Sequence, residues 1–112
     1  ACSGLPTSFD NVAYNNLVTL KYKATNVQKS CGTPTTKQQV NELRTRMDHI
    51  LLYVNHTRSD EETVRSVNTI SYQIDEMAFA YAVTPPSVAY CEIKTEILND
   101  GITAILTAVG HK

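Results

Sequence analysis

Residues 28–40 read QKSCGTPTTKQQV, and the reading of this stretch decides the fold. Upstream of it, Phe9, Ala13, Leu17, Leu20, Ala24, Val27 and Cys31 recur at steps of four and three, which is one face of a helix. Gly32 enters the left-handed region without steric cost, and Pro34 prevents continuation. Thr36, followed three residues later by Gln39, has the pattern of a capping box that opens a second helix. The stretch predicts a helix from about Ser8 to Cys31, a short loop, and a second helix running back beside the first.

The pattern repeats outward. Val40, Leu43, Met47, Ile50 and Val54 form the apolar stripe of the second helix, which gives way at NHTRS, residues 55–59. At the next start, Ser59 is placed to cap the amide of Glu62, and the acids from Asp60 to Glu62 favour a helix N-terminus. The third stripe is Val67, Ile70, Ile74, Met77 and Tyr81. It must stop before TPP, residues 84–86, because proline disfavours helix in the residue before it. The fourth helix starts after Pro86 with Ser87 at its cap and carries Cys91, Thr95, Leu98, Ile102, Ile105 and Val109 on one face. Gly101 in its middle costs about 1 kcal/mol of helix propensity, so a kink or a close neighbour is expected there. Strand-like alternation and internal repeats are absent. The expected fold is all-α: an up-down-up-down antiparallel four-helix bundle over residues 8–112, preceded by a tether at residues 1–7.

Composition narrows the function classes. A chain of 112 residues supports one domain, and 42% hydrophobic with 19% charged residues is ordinary for a soluble globular fold. Ten basic against eleven acidic residues leave a net charge of −1, which gives no field favouring nucleic acid. The longest apolar runs, ILLYV and MAFAYAV, fall well short of the ~20 residues that span a bilayer.

Three cysteines divide into a pair and a remainder. In the expected bundle the first helix ends at the pole where the fourth begins. Cys31 is there the last residue of the first helix, and Cys91 lies in the first turns of the fourth, both on inward stripes. A disulfide needs Cα atoms within about 7 Å, which this arrangement permits. The bond would close a loop of 60 residues, for which the chain-entropy model gives about 4 kcal/mol as an upper figure. The alternative is two buried free thiols. A disulfide implies an oxidising compartment, and the spacing lacks a second cysteine two residues away that would make a redox dithiol.

Cys2 then stands alone. Ala1-Cys2 followed by small residues resembles the end of a bacterial lipobox, in which the cysteine carries the lipid; the alternative is a stray thiol. On the lipobox reading Ala1 belongs to the precursor, and Ser3 in place of aspartate points to the outer membrane. Acyl chains anchor firmly because each buried methylene contributes about 0.8 kcal/mol. The segments QKSCGTP (28–34) and TPPSVAYCEI (84–93) resemble the pilotins of type II secretion systems, small periplasmic helical lipoproteins with cysteines paired at comparable places. The resemblance covers the layout of the chain, while the second and third helices show no matching pattern. It implies a bundle that grips a short C-terminal helix of a secretin and carries it to the periplasmic face of the outer membrane.

The chain does not read as an enzyme. His49, His56 and His111 are not at ligand spacing with one another, and neither a Glu-x-x-His pair nor a haem attachment motif is present. Met47, Met77 and His111 as haem ligands are outweighed by the role of methionine as core filler, so neither cofactor nor metal is expected. Asn55-His56-Thr57 matches a glycosylation sequon, which keeps a secreted eukaryotic protein as an alternative. Binding is what the surface suggests. Tyr14, Val18 and Tyr22 form a second apolar line on the first helix; Tyr72, Phe79 and Val83 stand off the main stripe of the third; Ile93 and Ile97 stand off that of the fourth. These residues are either flanking core or a groove for an amphipathic partner helix. The groove reading expects the line of Tyr14, Val18 and Tyr22 to be partly exposed beside Phe79 or Ile97. The functional expectation is an adaptor lipoprotein that binds a helix of an envelope assembly. A phage- or plasmid-encoded lipoprotein for superinfection or surface exclusion, or for inhibiting an envelope protein, is the other reading.

Overall fold

The computed structural model describes residues 11–56 and 61–110. They form four helices: α1 (Asn11–Ser30), α2 (Thr36–His56), α3 (Glu61–Val83) and α4 (Val88–Gly110). The expectations placed on the tether, Cys2, Phe9, the Ser59 cap and His111 lie outside the described residues.

The deciding stretch folds as a helix end, a tight turn and a helix start. α1 stops at Ser30, one residue before the expected end, and Cys31 opens the turn. The Cys31 amide donates to the Gln28 carbonyl at 3.3 Å and the Thr33 amide to the Ser30 carbonyl at 2.9 Å, so the last turn tightens. Gly32 has φ of +84°, the left-handed conformation expected of it. The capping box is not what opens α2. Thr36 already lies inside the helix, and its buried hydroxyl donates back to the carbonyls of Ser30 and Thr33. The Gln39 amide instead donates to the Thr35 carbonyl at 3.0 Å. The start of α2 thus ties itself to the end of α1, because the terminal Ser30 carbonyl lacks a partner within its own helix.

The other boundaries follow the sequence. α3 ends at Val83, ahead of Pro85 and Pro86. Ser87 caps α4: its hydroxyl accepts the Tyr90 amide at 3.1 Å, and its carbonyl accepts the Cys91 amide at 3.1 Å.

All four stripes point inward. Leu17 and Leu20 of α1, Leu43 and Ile50 of α2, Ile74 and Met77 of α3, and Leu98 and Ile102 of α4 are sealed from solvent in one core. Each such side chain contributes roughly 1.5–3 kcal/mol of burial before the entropy of ordering is deducted. Met47 and Met77 are filler in this core. α1 packs on α2 and α4, and α3 packs on the same two helices, so consecutive helices are neighbours around a ring. The two diagonal pairs make no such contacts. This is the up-down-up-down bundle.

Cys31 and Cys91 are joined as a disulfide, with Cα atoms 5.7 Å apart. The cystine ties the end of α1 to the start of α4 beside Gly32, where an added Cβ would stand 3.0 Å from Val88 Cγ2. Two demands therefore meet at Gly32, a left-handed backbone and a close neighbour.

Candidate functional site

The eight apolar residues singled out by spacing are exposed, from 38% at Tyr14 to 72% at Phe79. They are not flanking core. The structure divides them among three ridges and does not assemble them into one groove.

Helical geometry and the interhelix bonds explain the division. On the α1–α4 seam, Lys21 Nζ donates to Thr103 Oγ1 at 2.8 Å and Asn99 Nδ2 to Gln28 Oε1 at 3.3 Å. Tyr14, Val18 and Tyr22 form a ridge on the outer side of this seam. On α3, Asp75 reaches across to Arg44 of α2 at 3.0 Å, while Glu76 reaches to Lys94 of α4 at 3.3 Å. Tyr72, Phe79 and Val83 stand between these two directions, on the back of α3 opposite its buried stripe. At about 100° per residue, Ile93 and Ile97 fall on the flank of α4 turned to α3. The expected contact of Tyr14, Val18 and Tyr22 with Phe79 or Ile97 therefore does not occur. Phe79 lies on the diagonally opposite helix and Ile97 on the far flank of α4.

A concave feature lies elsewhere. A groove of about 450 Å³ runs between the N-terminal half of α3 and the C-terminal half of α4. Its walls include Ser66, Thr69 and Gln73 from α3 and Gly101, Ala104 and Ala108 from α4. Its floor is Ile70 and Ile105. Of the four neighbouring pairs, α3 and α4 pack least closely. Small side chains on both facing surfaces leave the gap, because little reaches across to fill it. Gly101 is the place of close approach: an added Cβ would lie 2.7 Å from Ile70 Cδ1. α4 runs through it without interruption, so of the two expectations for Gly101 the close neighbour is the one realised.

The groove has polar character as well. Gln73 Oε1 is enclosed there without a hydrogen-bond partner. Ile93, Ile97, Gly101, Ala104 and Ala108 follow one another at steps of four and three, so the exposed isoleucines extend the apolar wall beyond the groove. Sequence reasoning marked Gly101 and the isoleucines but missed the run that joins them. Its signal was the small-residue spacing at Gly101, Ala104 and Ala108.

Among the described residues no group of three or more His, Cys, Asp or Glu could hold a metal ion. His56 bonds the Leu52 carbonyl through Nδ1 at 2.9 Å, and His49 is exposed on α2. Burial, aided by the neighbouring Tyr90, raises the Tyr81 phenol above its ordinary pKa, which keeps it neutral rather than reactive. None of the described helices is long and apolar enough to cross a membrane.

In comparison with known proteins, no family model, no curated protein and no solved structure matches the chain.

Proposed function

We propose that this chain is a non-enzymatic adaptor lipoprotein that binds an amphipathic helix of an envelope assembly, in the manner of a pilotin that targets a secretin. On this reading it sits at the periplasmic face of the bacterial outer membrane. Cys2, unpaired once Cys31 and Cys91 are joined, is its lipid anchor. The observation that carries the reading is the exposure of Tyr22, Phe79 and Ile97, each at least 50% exposed, on a bundle whose core is already complete. Large apolar side chains grouped in ridges on a small surface favour a partner that covers them. The disulfide supports an oxidising compartment.

Two measurements on cells expressing the full precursor test this. Mass spectrometry of the membrane fraction is expected to find acyl chains on Cys2. A photo-crosslinking residue placed in turn at Tyr22, Phe79 and Ile97 is expected to join at least one ridge to a helical segment of a single envelope protein. A lipid-free mature chain would remove the anchor, and the absence of crosslinks from all three ridges would remove the adaptor.

A further inference from the structure

The charges of this molecule are sorted by helix pair. α1 and α2 carry six basic and two acidic residues, a net of +4, whereas α3 and α4 carry two basic and seven acidic, a net of −5. The overall charge of −1 conceals this division. Both basic residues of the acidic half are already engaged, Arg65 with Glu61 at 3.1 Å and Lys94 with Glu76 at 3.3 Å. Glu62, Glu96 and Asp100 form no ion pair among the described residues. Glu62 lines the groove, and Asp100 stands one helical turn before Ala104 of its wall, whereas Glu96 falls two turns before Thr103, on the flank of α4 turned to α1. The groove thus combines an apolar floor, an enclosed amide oxygen lacking a donor, and a rim of uncompensated carboxylates.

We propose that the α3–α4 groove docks a basic amphipathic helix, one whose narrow face carries small aliphatic side chains and whose flanks carry lysine or arginine. The narrow face is set by the small groove residues, since bulky side chains already occupy the floor as Ile70 and Ile105. The sign of the flanks is set by Glu62 and Asp100 within a helix pair of net charge −5, whose field steers a cationic partner and repels an acidic one. The wall from Ile93 to Ala108 is about 23 Å long, the length of some four helical turns. A donor on the partner, such as a lysine ammonium or a glutamine amide, satisfies Gln73 Oε1. This assignment rests on the adaptor reading above and specifies its partner: the helix enters between α3 and α4, away from the tyrosine ridge of α1, and it is cationic.

The test uses the whole oxidised chain and two synthetic helical peptides sharing one alanine–leucine face, flanked in one by lysines and in the other by glutamates. Calorimetry at low salt is expected to show the lysine peptide binding at least tenfold more tightly than the glutamate peptide. Ala108→Trp, which fills the groove from an exposed position, is expected to weaken the lysine peptide tenfold or more. Glu62→Lys combined with Asp100→Lys is expected to erase the preference between peptides, while Leu52→Ser, at an exposed position of α2, leaves both affinities unchanged. Circular dichroism checks that each variant is helical; should Ala108→Trp fail to fold, Ala104→Gln serves as the block. If both peptides bind and the groove variants have no effect, the groove assignment fails and the adaptor reading stands. If neither binds, both fail. A concentration-dependent dimer that Ala108→Trp abolishes, or a gain in peptide affinity when residues 1–10 are removed, would assign the groove to a second copy or to the chain's own leading segment. Either result overturns the proposal.

Discussion

The bundle is built differently at its two poles. Where α1 ends and α4 begins, three independent devices act on a few residues. The cystine joins Cys31 to Cys91, Gly32 turns the chain against Val88, and the Thr36 hydroxyl bonds the carbonyls of Ser30, the last residue of α1, and of Thr33 in the turn. Where α3 begins and α4 ends, the same core pattern is present, but the facing surfaces are Ser66 and Thr69 against Ala104 and Ala108, and a groove remains. The comparison shows that an apolar stripe makes a helix face inward, while side-chain volume at the flanks decides whether neighbours close upon each other.

The strongest way to break the comparison is to cut the staple. Reduction, or Cys31→Ala with Cys91→Ala, is expected to remove up to about 4 kcal/mol of stability. For a domain of this size that corresponds to a melting temperature lower by roughly 15 °C. Scanning calorimetry of oxidised and reduced chain reads it directly, and superimposable melts would show that the pole holds without the bond.

Overfilling distinguishes a closed seam from an open one. Ala24 is completely buried, so Ala24→Leu should cost about 1–3 kcal/mol through forced repacking. The same enlargement at exposed Ala108, in the groove wall, should change stability by less than ~0.5 kcal/mol. Chemical denaturation of both variants measures the gap, and equal costs would mean that the groove closes in solution.

The two interior glycines sharpen the contrast. Gly32→Ala is expected to destabilise by about 1–2 kcal/mol, because a left-handed residue acquires a Cβ beside Val88. Gly101→Ala gains about 1 kcal/mol of helix propensity, which offsets the displacement of the Ile70 side-chain tip. Its unfolding midpoint should remain near that of the parent.

The smallest expected effects lie on α3. The Arg44–Asp75 pair is about half exposed on both sides, so Asp75→Asn should cost no more than about 0.5 kcal/mol, and less in high salt. The Tyr81 phenol, with its pKa raised by burial and then by Tyr90, stays protonated in the folded chain beyond the pH at which the unfolded chain ionises. Its contribution is fully present below the unfolded value of about 10 and is lost as pH climbs from there through the folded value. Denaturation midpoints measured across that range should therefore fall less steeply in Tyr81→Phe than in the parent.

How much of this was legible varies with the kind of question. The stripes from Ala13 to Ile105 were read correctly because burial in a bundle repeats every three or four residues, a period set by the helix itself. Gly32, Pro85 and Ser87 marked boundaries through properties of single residues, and these markers held. Thr36 was misjudged because two hydroxyl roles share one local sequence. Capping its own helix and bonding the preceding one differ only in where the end of α1 lies. The exposed apolar residues were recognised, but their grouping was not. Whether Tyr22 meets Ile97 depends on which flank of α4 faces α1, and that is settled by interhelix pairs such as Lys21 with Thr103.

By itself, then, the sequence determined four helices, their inward faces and the meeting of Cys31 with Cys91, because each follows from local geometry and the shortness of the loops. The tertiary structure alone decided that α3 and α4 stand apart over Ile70 and Ile105, and that Ile93 and Ile97 continue the wall of that gap. The physical reason is that a groove belongs to two surfaces at once. Small residues on either helix are compatible with close contact as well as with a gap, and the outcome depends on how the rest of the core fixes the distance between them.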